Sequence, residues 1–409
     1  HSFPTRRSSD LITGVALMQL WEQGKFGLDD PLSRYLPEFA DMKVMDAQGH
    51  VVPANRPILI RDVMRHTAGF SYGGRGLPAD KVFQTVDPLN LKNDLAEFSR
   101  RLATAPLLYQ PGEQWSYSAA VDVQARLVEV LSGQSYEAYA KAHILDPLGM
   151  KETGWTQPEA AFARLAATYN KGADGKLARQ DDAETRKLNF DPSRRLTMGG
   201  AGLVAPIDDY ARFSRMLLGG GTLDGVRILK PSTVRLMGTD HLDARVTETW
   251  WLPSKGSVGF GLDFAVVLDS AKAGPYGQGT YSWGGAAGTW FWIDPQNGWF
   301  VVDAGSPGKA EEVIEHLRFC LDDFPLQPLH TQLSPQSAMA DWLAGGEAPH
   351  GFTIDRDCEL KAVGEEKSAV RYVRHPLGDE GHHRRVAAMA VDQHDPPETG
   401  TVEAFEQVL

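Results

Sequence analysis

Within residues 12–23 apolar side chains predominate: Ile12, Val15, Ala16, Leu17, Met18, Leu20 and Trp21. A segment that is apolar all round reads as a helix buried on most sides, and Gly24 supplies its left-handed stop. Such a helix needs cover from several directions, so the chain around it must build a layered domain. With 409 residues and 42% hydrophobic content, the chain has the material for a sizeable core.

The elements that follow suggest how the cover is arranged. Residues 25–39 carry turn chemistry at Asp29-Asp30-Pro31 and Leu36-Pro37. Residues 58–68 read as a short helix ended by Gly69. Residues 122–132 are amphipathic and close at Gly133, and residues 208–218 form another helix ended by Gly219-Gly220-Gly221. Strand-like runs come later, at 259–268, 288–294 and 299–303, with Asp294-Pro295-Gln296-Asn297-Gly298 as a hairpin signal between the last two. Helices first and paired strands last point to an α+β fold, a sheet with helical cover.

Several function classes recede on bulk properties. The net charge of −12 disfavours a chain-wide nucleic-acid footprint. No apolar run is long enough to span a bilayer. Cys320 and Cys358 are the two cysteines, so the region before them works without thiols. Neither a metal site nor a cofactor is expected. Localisation stays open between cytoplasm and periplasm of a bacterium.

Three stretches carry candidate chemistry. In Pro111-Gly112-Glu113-Gln114-Trp115-Ser116-Tyr117-Ser118 a Pro-Gly turn presents Tyr117 just before a helix. A phenol held near positive charge can shuttle a proton; the alternative is a capped helix start with a packed tyrosine. In Tyr281-Ser282-Trp283-Gly284-Gly285-Ala286-Ala287-Gly288-Thr289 small residues let a substrate approach the backbone and leave N–H groups for an oxyanion. The alternative there is a bulged strand start. Gly69 to Gly73 matches G-x-S-x-G around Ser71, but a helix-like stretch precedes it and a Gly-rich loop follows, the wrong context for a nucleophile elbow. Ser71 is expected to be a chance match, and His66 a hydrogen-bonded structural histidine.

These stretches occur with Ile12-Thr13-Gly14-Val15-Ala16, Gly24-Lys25-Phe26-Gly27-Leu28-Asp29-Asp30-Pro31, His66-Thr67-Ala68-Gly69, Pro147-Leu148-Gly149-Met150 and Gly199-Gly200-Ala201-Gly202-Leu203. In number, order and spacing the set resembles the serine β-lactamase-related superfamily, covering residues 12–303. The Trp283-Gly284-Gly285 form leans towards its class C-like, family VIII-type esterases, with transpeptidase-like proteins as further relatives. The resemblance implies an antiparallel sheet flanked by helices plus a helical subdomain. It implies a small-molecule ester or amide substrate cleaved through a serine acyl-enzyme. Tyr117 would relay the proton, the Ala286 N–H would be half of the oxyanion hole, and Tyr72, Trp283, Gly284 and Gly285 would line the substrate cleft. Residues 73–86 and 242–256 would supply pocket loops.

One departure is central. The family opens its first helix with S-x-x-K, whose serine and lysine share a helical face so that the amine can deprotonate the hydroxyl. Asp10 stands at the lysine position and Arg7 at the serine position. Ser306-Pro307-Gly308-Lys309 repeats the pattern in a context unsuited to a helix start. The nucleophile and its base are therefore expected to be absent, the N-terminal strands missing, and the chain catalytically silent. Residues 1–10 resemble a translated sequencing adapter and are expected to stand outside the native domain.

After residue 309 the character changes. Pro325 to Leu329, residues 334–345, Gly351 to Lys361 with Asp357-Cys358-Glu359-Leu360-Lys361, and Val370-Arg371-Tyr372 resemble part of a bacterial recombination-associated, DNA-binding protein, over about residues 311–377. DNA is a possible partner through this segment alone. The implied organisation is a truncated hydrolase domain at 11–308, the recombination-like fragment at 309–380, and a tail at 381–409 without periodicity. A non-catalytic ligand-binding protein on the hydrolase scaffold is the third reading.

Overall fold

The computed structural model describes residues 2–5, 9–165, 169–171, 177–179, 189–191, 193–243, 246, 248–250, 252, 256–273, 276–285 and 289–303, with the backbone of four strands beyond. The helix expected first is present as Ser9–Glu22, with Leu11, Ile12, Val15, Leu17 and Met18 all fully buried. Each such side chain contributes about 1.5–3 kcal/mol on leaving water. Gly24 ends the helix at φ +70°. The helix lies against Ala120–Ser132, itself stopped by Gly133 in the left-handed conformation. The helices Ile60–Met64, Pro78–Val86, Leu95–Thr104 and Tyr136–Ala140 complete the helical part around this pair.

The sheet is antiparallel, with five strands in chain order: Val258–Phe260, Ala265–Val267, Tyr281–Gly284, Trp290–Asp294 and Trp299–Asp303. Helix Ile207–Leu218 covers the last two strands, with the Tyr210 ring 5.8 Å from Phe291. The Asp294 carboxylate accepts N–H groups of Gln296 and Asn297 and closes the expected hairpin. The fold is thus α+β, as the sequence implies.

Four local expectations need correction. The run read as one strand at 259–268 is two strands: Gly261 N–H bonds back to Phe264 O, and Asp263 sits at φ +70°, which reverses the chain. The helix read at 58–68 stops at Met64, because His66 adopts φ +57°. Residues 73–86, read as a loop, contain the helix Pro78–Val86, started by Pro78 and by Asp80 accepting the Leu77 N–H. Residues 381–409, given no element, include the strand His383–Val391 paired with Ser368–Pro376. Its Val-Ala-Ala-Met-Ala-Val run lacks alternation, so period 2 carries no signal there. At the other end, Ser2–Thr5 pairs with Leu203–Pro206, and Ser9 and Asp10 form the first residues of the buried helix.

Candidate active site

A buried carboxylate organises one wall of the site. Asp62, wholly inaccessible, accepts the Leu59 N–H at 3.0 Å, Thr67 Oγ1 at 3.1 Å, and guanidinium bonds from Arg56 and Arg65. This fixes the bend at His66. The bend's own carbonyls then hold the next segment: His66 O accepts the Ser116 N–H at 3.1 Å, and Thr67 O accepts the Gly112 N–H at 2.8 Å. Gly112 turns at φ +87°, which a side chain would resist. Tyr117 follows this clamped strand and enters the core.

There Tyr117 meets a group of aromatic rings. Its ring lies 4.7 Å from His66, 5.7 Å from Tyr72 and 5.5 Å from Trp283; Phe260 and Trp115 close the group at 5.3 and 6.1 Å from Trp283. The polar end of this group converges on Asp10. Tyr117 Oη donates to Asp10 Oδ2 at 2.8 Å, and Trp283 Nε1 donates to the same oxygen at 3.0 Å. Asp10 is 1% exposed and comes from the first turn of the buried helix.

Beneath the pair lies Gly200. A Cβ built there would stand 3.5 Å from both Asp10 Oδ1 and Tyr117 Oη. The Gly200 N–H bonds Asp122 Oδ1 at 3.2 Å, and Gly199 O is 2.8 Å from Thr13 Oγ1. Burial pushes the Asp122 carboxyl up to about 6, against the lowering effect of the Gly200 and Gly199 N–H groups. Burial also holds Asp263 well above the usual carboxylate range, although Gln124 donates to it at 2.6 Å.

Tyr72, Tyr117 and Trp283, separated by more than two hundred residues of chain, do come together. Gly284 ends the strand beside them. The Gly285 N–H bonds Thr289 O at 2.5 Å, so it is engaged by protein rather than left for a ligand. Ala286 and Arg7 lie outside the described residues, as do Ser306 to Lys309, Cys320 and Cys358. Ser71 donates to Asp80 Oδ1 at 2.5 Å and accepts the Gly73 N–H at 2.8 Å, which ties it into its loop. His66 is 1% exposed, with Nδ1 3.3 Å from Ser118 Oγ. Sequence reasoning missed Asp122, Gly200 and Phe260 as neighbours of the site. An acid in the first turn of a helix is ordinary by dipole arguments, so nothing marked Asp122 out.

A separate cavity of about 520 Å³ is lined by Asp29, Arg56, Arg61, Arg65 and His241 among others. Its guanidinium groups are already paired, Arg61 with Asp29 and Arg56 and Arg65 with Asp62. Among the described residues no cluster of His, Cys, Asp or Glu is arranged to hold a metal ion, and no helix is long and apolar enough to cross a membrane.

Two family profiles match the chain. The sequence profile of the family described as Beta-lactamase matches residues 11–303. A second profile, described as "Putative exonuclease, RdgC", matches residues 285–388. The chain is 30% identical to "Esterase EstB" of Burkholderia gladioli over 71% of its own length and 74% of the relative's. It is similar in structure to "EstCE1, a hydrolase with promiscuous acyltransferase activity", with a TM-score of 0.60, 29% identity, and coverage of 72% of this chain and 77% of that one. Its later part is 84% identical over 92 residues to "Recombination-associated protein RdgC" of Dechloromonas aromatica (strain RCB). That stretch is 22% of this chain and spans only 30% of the relative's length.

Proposed function

Since the chain belongs to the beta-lactamase family over residues 11–303, we infer that its cleft is the acyl-transfer site of an esterase-like hydrolase in which Asp10 stands where the general base belongs, and that no acyl-enzyme forms. The observation that carries this reading is the pair of bonds from Tyr117 Oη and Trp283 Nε1 to Asp10 Oδ2.

In the family's chemistry an amine at that position removes a proton from a serine three residues earlier, and the tyrosine relays it to the leaving group. A carboxylate inverts that arrangement. It accepts the Tyr117 O–H, so the phenol's proton is held by Asp10 instead of being passed along a serine–lysine couple. Arg7, three residues before Asp10, offers no hydroxyl. Loss of nucleophile and base together leaves no covalent route, since the two act as a unit. Tyr72, Tyr117 and Trp283 would still supply an apolar lining, with Gly284 and Gly285 beside it and the Ala286 N–H as the proposed oxyanion donor. An aryl or acyl group of an ester or amide fits the chemistry of that lining.

The purified full chain, assayed with p-nitrophenyl acetate, p-nitrophenyl butyrate and nitrocefin, is expected to show no turnover above background. It is also expected to show no mass increase with a fluorophosphonate probe. The variant carrying Arg7→Ser with Asp10→Lys is expected to gain the adduct at position 7. A serine adduct on the unchanged chain would overturn this reading.

A further inference from the structure

We propose that Asp122 is a positioning residue of the cleft: its carboxyl group, by accepting the Gly200 N–H, fixes the Gly199–Gly200 turn as the floor under Asp10 and Tyr117.

Several polar groups around this turn are engaged from the core. Gly200 N lies 3.2 Å from Asp122 Oδ1. On the opposite side Thr13 Oγ1 donates to Gly199 O at 2.8 Å and receives the Tyr136 hydroxyl at 2.6 Å. Trp155 Nε1 reaches Met198 O at 2.8 Å and Ala201 O at 3.2 Å. Thr13, Asp122, Tyr136 and Trp155 are each at most 1% exposed. The turn also packs backbone on backbone: a Cβ at position 199 would come within 2.2 Å of Val121 O. Position 200 differs, because its nearest neighbours are Asp10 Oδ1, Tyr117 Oη and Val121 Cβ, each at 3.5 Å. The turn therefore touches the helix start with one glycine and the reacting position with the next.

A fully buried carboxyl is an expensive way to begin a helix, and an Asp in a first turn ordinarily serves its own helix N-terminus. The Asp122 carboxyl meets its own helix N–H and also reaches across to a different segment of chain, at Gly199 and Gly200. Its second oxygen, Oδ2, is buried and makes no hydrogen bond among the described residues. A shift of the turn towards Tyr117 by even a fraction of an ångström would close the space beneath the phenol and carboxylate.

That the turn floors a reaction site rests on the family reading above; that Asp122 holds the turn does not. The test uses hydrogen–deuterium exchange on the full chain for the peptide covering residues 198–202. Asp122→Leu is expected to speed exchange there by about tenfold, as loss of one buried hydrogen bond implies. Peptides from Ile207–Leu218 and from 258–267 are expected to keep the parent rate. Asp122→Asn, which retains a neutral acceptor, is expected to exchange measurably faster than the parent, by about threefold, because a bond to a charged acceptor is roughly twice as strong as a neutral one. An Asp122→Leu variant as protected as the parent would overturn the proposal. If that variant does not fold, Asp122→Asn decides: exchange indistinguishable from the parent overturns the proposal, and a local increase supports it. In the Arg7→Ser, Asp10→Lys background, Asp122→Asn is expected to lower kcat severalfold at unchanged KM. Should that background never acylate, the family reading fails, while the exchange result still judges Asp122.

Discussion

At Asp10 a carboxylate 1% exposed to solvent is held by a phenol and an indole that themselves sit among aromatic rings. Asp10→Leu would remove the acceptor shared by the buried Tyr117 and the part-buried Trp283, so a loss of roughly 2–4 kcal/mol in urea unfolding is expected. Gly14 shows a second constraint at this scale. A Cβ there would fall 2.3 Å from Asp263 Oδ2, and Asp263 is itself fixed by Gln124. Gly14→Ala is expected to cost about 1–3 kcal/mol by overpacking, read as a lower urea midpoint. Asp263 also sets a pH dependence. Its folded-state pKa is raised by burial, so its favourable contribution is complete below the unfolded value of 3.8 and is lost as pH rises through the folded value. Asp263→Asn removes that titration and suits φ +70°. The variant is expected to be more stable than the parent at pH 8, with the advantage disappearing at pH 4; an advantage equal at both pH values would contradict the assignment.

Among elements, the short helix Ile60–Met64 and the strand Gln114–Ser116 depend on one acid. Arg65 is 4% exposed and Asp62 fully buried, so Asp62→Ala would take from a buried guanidinium its nearest carboxylate, leaving His241 O and, at 3.9 Å, Asp243. A loss of roughly 3–5 kcal/mol is expected, the usual result of breaking a buried pair from one side. The same change should free the 112–117 segment, seen as altered near-UV circular dichroism from Trp115 and Tyr117. Elements of this kind were the least legible in the sequence. The long helices announced themselves through apolar periodicity and terminal glycines at 24 and 133. The turn at Asp263 did not, because a left-handed aspartate inside an apolar run reads as strand until tertiary bonds from Gly261 to Phe264 close it. The helix Pro78–Val86 was passed over because glycines at 73, 74 and 76 masked its start.

For the whole molecule, two family profiles match one chain, and their matches overlap at residues 285–303, the last two strands of the sheet included. The fold places those strands in the hydrolase sheet, paired with Tyr281–Gly284. A chain ending at residue 303 is therefore expected to keep the near-UV signal of the aromatic group and a single cooperative melt. The later segment spans 30% of the length of its recombination-associated relative. With a net charge of −12, the full chain is expected to give no salt-sensitive shift of duplex DNA in a gel at low ionic strength.

By itself the sequence determined the fold class, the buried first helix and the family, because apolar runs and motif order are local properties that chain neighbours carry. It also named Tyr72, Tyr117 and Trp283 together, through the motifs they stand in. What Asp10 binds, that the Gly285 N–H is already taken, and that Asp122 faces Gly200 were decided by tertiary structure alone. A hydrogen bond between groups distant in sequence depends on which faces the packed core turns towards each other, and no local pattern of residues encodes that orientation.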